Sequence, residues 1–141
     1  MSARHKARKR ALEILFSADV SGQPLVDALE AATLRAAGEP ERSSSWGYAE
    51  EIVRGIIAQG DAIDGVLRDT SQSWPLERMP AVDRAVLRIA TWEIVHNPDV
   101  PSAVAISEAA ELVNELSTDS SASFVHGILA TIAEKAGEVS P

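Results

Sequence analysis

Residues 102–116 read S-A-V-A-I-S-E-A-A-E-L-V-N-E-L, and their periodicity decides the fold class. At 100° per residue, Ala105, Ala109, Leu112, Val113 and Leu116 share one arc of a helical wheel. Ser107, Glu108, Glu111, Asn114 and Glu115 share the opposite arc. Such segregation defines a surface helix that buries one face against a neighbour. The stretch after it, residues 121–136, carries a second stripe of Phe124, Val125, Ile128, Leu129 and Ile132. The stretch before it, residues 81–96, carries a third of Val82, Val86, Ile89, Ala90 and Ile94. The connections between them, Asn97-Pro98-Asp99-Val100-Pro101 and Ser117-Thr118-Asp119-Ser120, are short, so consecutive helices pack as antiparallel neighbours.

The same three- and four-residue spacing continues towards the N-terminus, and no alternating strand pattern interrupts it. A first helix is predicted over about Ala3–Asp19, ended by Ser21-Gly22, and a second opens at Pro24 and ends near Gly38. Residues 38–45, GEPERSSS, read as a mobile loop. The helical stretch from Trp46 to Asp69 is predicted to divide near Gly60, with Asp61 as N-cap, because glycine costs roughly 1 kcal/mol in a helix interior. Pro75 and Pro80 bracket a turn. The expectation is an all-α fold, one compact bundle of about seven helices spanning residues 1–141 as a single domain.

Composition removes several classes of function. The 141 residues include no cysteine, which excludes disulfides and thiolate metal sites. The longest uncharged stretch, Ser120 to Ala133, falls short of the ~20 apolar residues that span a bilayer. Glu13 and Asp19 interrupt the apolar segment behind the basic N-terminus, so no signal peptide forms and a cytoplasmic location is expected. The glycines never fall into a dinucleotide or phosphate-loop spacing, and no G-x-S-x-G occurs. His5, His96 and His126 are scattered, and isolated histidines are more often solvated or hydrogen-bonded than ligating. No enzyme activity, metal or cofactor is expected.

Charge is distributed unevenly. Arg4, Lys6, Arg8, Lys9 and Arg10 give the first ten residues a charge of +5 with no acid among them. The other eight bases and all 21 acids leave residues 11–141 at −13, and the whole chain at −8. A compact basic arm on an acidic body attracts polyanions locally while the body repels them. On the wheel Lys6, Lys9 and Arg10 join Glu13 and Ser17 on the polar arc, whereas Arg4 and Arg8 project on the side of Leu15. If four of the five bases each met one phosphate of a single-stranded RNA, log K would fall against log[salt] with a slope of about −3. A frayed, solvated terminus is the plainer reading of the same residues. Two acids, Asp83 and Glu93, fall within the apolar arc of residues 81–96. First-turn capping suits Asp83 and an internal ion pair suits Glu93; an exposed docking surface would explain them otherwise.

The runs D-R-A-V-L-R-I-A-T-W-E (83–93), V-P-S-A-V-A-I-S-E-A-A-E-L (100–112) and S-A-S-F-V-H-G-I-L (121–129) resemble the C-terminal signature of the transcription antitermination factor NusB family. The opening A-R-H-K-A-R-K-R-A-L-E-I-L-F (3–16) is similar to that family's Arg-rich first helix. The resemblance implies an all-helical RNA-binding protein that pairs with the small-subunit ribosomal protein NusE. It also implies recognition of boxA RNA in ribosomal-RNA leader transcripts and a place in the RNA polymerase antitermination complex. By position, Arg4, Lys6, Arg8, Lys9 and Arg10 would meet RNA with Ser120 and Phe124, and Phe16 and Asp83 would meet the ribosomal protein. Phe124 also continues a core stripe. Ser107 and His126 stand where the family usually has asparagine, and residues 20–75 match only in pattern. The alternatives are a helical scaffold or homodimer with an incidental arm, and a detached RNA-binding module of an RNA methyltransferase. For the last, the run to Pro141 leaves no room for a cofactor-binding sheet.

Overall fold

The computed structural model describes residues 2–39 and 43–139. Six α-helices run in order: α1 (Ala3–Ser21), α2 (Leu25–Ala37), α3 (Ser43–Thr70), α4 (Ala81–His96), α5 (Ser102–Leu116) and α6 (Asp119–Val139). A 3-10 turn, Leu76–Arg78, joins α3 to α4. No strand occurs among the described residues. Punctuation follows the local chemistry. Ser2 caps α1 by accepting from the His5 amide at 3.1 Å, and Gly22 ends it at φ 75°, a left-handed conformation natural to glycine. Proline precedes α2, α4 and α5 at positions 24, 80 and 101, where a missing amide costs nothing.

The division expected near Gly60 lies inside α3: two helical segments meet at a kink at Gln59, whose backbone is non-helical (φ −116°, ψ 17°), and with Ser43–Thr70 taken as one run the helices among the described residues number six in place of seven. The loop expected over 38–45 is correspondingly shorter, since α3 begins at Ser43 and positions 40–42 lie outside the described residues.

Helix α4 is the centre of the bundle, packed on α1, α3, α5 and α6. Its surroundings explain why its burial runs nearly all the way round, through Ala85, Val86, Leu87, Ile89, Ala90, Thr91, Trp92 and Glu93. The predicted inner faces of the last two helices are the observed ones. Ala105, Ala109, Leu112 and Val113 of α5 and Val125, Leu129 and Ile132 of α6 are all buried. Leu116, the last residue of α5, is exposed because the bundle has ended before it.

Candidate nucleic-acid interface

The basic arm is the first two turns of α1, and helical geometry divides it into two faces. Arg8 points inward: its side chain is 3% exposed and that of Glu93, on α4, is 1%. Arg8 Nε donates to both Glu93 oxygens at 3.1 Å, with Nη2 at 2.9 Å from Oε2. Tyr48, the chain's only tyrosine, donates its hydroxyl to the same Oε2, and Asn97 Nδ2 donates to that hydroxyl at 3.2 Å. Burial works against the Arg8 charge, but hydrogen bonding and attraction from Glu93 outweigh it and hold the guanidinium above its ordinary value. Arg8 is therefore a structural cation and not a free contact for phosphate, which corrects its place among the RNA contacts. The internal ion pair expected for Glu93 is present.

Arg4, exposed, lies on the same side with its guanidinium carbon 4.5 Å from the Tyr48 ring centroid. That is within cation–π range. The opposite, polar arc holds the rest. Lys6 is exposed, and Arg10 is half-buried beside Glu13, Ser17 and the α2 residue Arg35. Lys9 reaches Glu115 at the end of α5, Nζ to Oε2 3.1 Å, and its charge holds that carboxyl below the usual range. His5, between the two arcs, is buried and shares its Nδ1 with Glu108 Oε2 at 2.7 Å.

The contact of Lys9 with Glu115 places the polar arc beside the α5–α6 turn, where Ser120 is exposed. Phe124, one turn further along α6, is partly buried against the core and meets Trp74 edge-on, centroids 4.7 Å apart. Its ring serves packing first. Ser107 and His126 are both exposed, so neither replacement disturbs the interior.

The two residues assigned to a protein partner separate sharply. Phe16 is 38% exposed and Val20, one turn on, is 65% exposed, which leaves an apolar strip on α1. Asp83 is fully buried. It neither caps α4 nor faces solvent; its Oδ2 accepts from Ser121 Oγ at 2.7 Å, and Oδ1 is buried without a hydrogen bond. The cause is α6, which packs across the start of α4 and covers the apolar arc on which Asp83 stands. A charge reversal at 83 would consequently perturb the fold before it probed any partner.

Sequence reasoning missed Tyr48, Glu108 and Glu115, which decide which arm cations are free. The i, i+3, i+7 spacing of Glu108, Glu111 and Glu115 on one face was visible, but its apposition to α1 was not.

Tyr48 makes one consequence measurable. Burial first, and then the hydrogen bond to Glu93, push its hydroxyl above the ordinary tyrosine value. An unfolded tyrosine loses its proton near pH ~10, whereas folded Tyr48 keeps it to higher pH. The folded state then binds the extra proton, so this contribution is intact below pH ~10 and is lost as pH rises beyond it. In urea unfolding followed across that range, the stability advantage of wild type over Tyr48→Phe should shrink as pH rises; a constant difference would contradict the placement.

The comparisons with known proteins agree with one another. The model of the NusB family matches residues 5–134. Transcription antitermination protein NusB of Clavibacter michiganensis is 56% identical over 94% of this chain and 97% of its own length. That of Leifsonia xyli is 57% identical over 95% and 93%. Among solved structures, NusB of T. maritima superposes with a TM-score of 0.81 at 28% identity, covering 99% of both chains. A chain from a crystal structure of the antitermination factors NusB and NusE in complex with double-stranded RNA has the same fold, with a TM-score of 0.82 at 19% identity over 96% of this chain and 98% of that one. The family is one of antitermination factors and not of enzymes. With the family model spanning nearly the whole helical bundle and relatives more than half identical to it, the chain belongs to the NusB family.

Proposed function

We propose that this chain binds single-stranded boxA RNA of ribosomal-RNA leader transcripts together with the ribosomal protein NusE, and that the pair helps RNA polymerase resist termination in the cytoplasm. The observation that carries the reading is the polar arc of α1, with Lys6 exposed and Lys9 and Arg10 half-buried, set on a body of −13. Three cations at i, i+3 and i+4 on one helix flank follow a ribose-phosphate backbone, Lys as point charges and Arg through its fork. Ser120 at the adjoining turn supplies a hydroxyl to the same strand, and Phe124 supports that turn from beneath while offering a ring edge at most. A structural neighbour of the same fold, from the complex of NusB and NusE with double-stranded RNA, supports the pairing with NusE and RNA. On this chain Phe16 and Val20 offer the apolar strip for the ribosomal protein, and Asp83 contributes from the interior by anchoring α6 to α4.

Backbone contacts position RNA but read little sequence. Base recognition is therefore expected to emerge with the partner. In titrations of boxA and scrambled RNA, with and without NusE, the chain alone should bind both comparably. With NusE, boxA should gain roughly tenfold over scrambled RNA, equivalent to about 1.4 kcal/mol. Equal affinity in all four titrations would leave a helical scaffold with an incidental basic arm.

A further inference from the structure

We propose that His5, Glu111 and Glu115 form a binding site for a divalent transition-metal ion with the coordination habits of zinc, clamping α1 to α5. One ligand atom from each residue lies within 4.8 Å of the other two. His5 is 3% exposed, and its Nε2 is buried without a hydrogen bond. The nearest carboxylate oxygen, Glu115 Oε1, stands 3.4 Å away. Across the ring, Nδ1 lies 2.7 Å from Glu108 Oε2 and 4.0 Å from Glu111 Oε2.

The hydrogen bond to Glu108 sets the tautomer. A carboxylate accepts only, so a proton sits on Nδ1; in the neutral ring the lone pair of Nε2 is then directed at the Glu115 side, and in the imidazolium a second proton fills that position. A lone pair facing a carboxylate oxygen is repulsive unless a cation lies between them. Spacing identifies the cation. A tetrahedral ion with bonds of about 2.0–2.1 Å holds its ligand atoms about 3.4 Å apart, which is the separation of Nε2 from Oε1. A histidine that ligates through one nitrogen while donating the other N–H to a carboxylate is the recurrent second shell of zinc, and Glu108 occupies that place. Lys9 binds the other oxygen of Glu115, Oε2, so Oε1 can ligate without displacing it. Imidazole among the ligands favours a transition ion over calcium or magnesium. Glu111 and Glu115 are both exposed, which opens the position to solvent and leaves water as the fourth ligand.

The test is zinc chloride titrated calorimetrically into untagged, chelator-treated full-length protein. One ion per chain is expected, with micromolar affinity. Glu111→Gln changes an exposed residue and keeps the fold, and it should weaken binding by about tenfold or more. Glu108→Gln should weaken it through the ring, and His5→Asn should abolish it. Thermal unfolding of wild type should rise with added zinc, and that rise should be smaller in Glu111→Gln. Absence of saturable binding would show that a proton alone fills the position and would overturn the site. Binding of equal strength in Glu111→Gln and wild type would show that Glu111 is not a ligand and would overturn the assigned site equally.

Discussion

Glu93→Ala should destabilise the protein by about 3–5 kcal/mol, because it leaves the Arg8 guanidinium buried with its hydrogen-bonded counter-charge gone and only Glu108 Oε1 nearby, at 3.9 Å. That is a large share of the 5–15 kcal/mol typical of a single domain, on the order of a third or more. The variant also removes the acceptor of the Tyr48 hydroxyl, so two donors from two helices are orphaned at once. The companion experiment isolates the cause. Arg8→Met with Glu93→Leu fills the same space with apolar groups, and such replacements of buried ion pairs are commonly neutral or stabilising. Urea unfolding should therefore show a deep loss in the single variant and recovery of most of it in the double. A loss below about 1 kcal/mol for Glu93→Ala would mean that water reaches the pair.

Gly55→Ala should be the most damaging of the small substitutions. A methyl carbon at Gly55 would lie 2.1 Å from Trp92 Nε1 and 2.3 Å from its Cε2, so α3 and α4 pack here with an indole ring against bare backbone. An indole is rigid, and Trp92 is itself buried in the core. Relief must come from helix displacement, at a cost of about 1–3 kcal/mol or more. Gly65, on the same helix, meets nothing within 4 Å, and alanine there should stabilise by up to about 1 kcal/mol through helix propensity. Thermal unfolding of the two variants should consequently move in opposite directions. Similar shifts of the same sign would contradict the packing of α3 on α4.

What was legible in the sequence was whatever local periodicity controls. The inner faces of α5 and α6 needed only a wheel, since each amphipathic helix has one apolar arc and one place to put it. The break at Gln59 was legible as well: glycine at 60 marks the weak point beside which the helical angles fail. Partners distant in the chain were beyond reach. Arg8 and Glu93 are 85 positions apart, and His5 and Glu108 are 103 apart. The wheel placed Arg8 with Leu15 and Glu93 with Ile89, so each separately stood on an apolar side; only the packing of α1 on α4 makes them one pair. Asp83 failed for the same reason. Its exposure depended on where α6 crosses α4, which no spacing within residues 81–96 encodes.

The division of the arm alters its expected salt dependence. With Arg8 held inside by Glu93 and Arg4 turned to Tyr48, Lys6, Arg10 and Lys9 remain on one face, Lys9 by exchanging its part-exposed pairing with Glu115 for phosphate, and the slope of log K against log[salt] for single-stranded RNA becomes about −2 in place of −3. Deleting residues 1–10 would not test this cleanly, because it would also strip Arg8 from Glu93 and the buried Ala7 from the core. Lys6→Gln, Lys9→Gln and Arg10→Gln together remove the charges and leave the interior intact. The direct measurement is RNA affinity against salt for wild type and this triple variant. The account predicts a slope near −2 for wild type, a slope near zero for the variant, and unchanged thermal stability within about 1 kcal/mol. A triple variant that keeps both the affinity and the slope of wild type would contradict RNA binding by this face of α1.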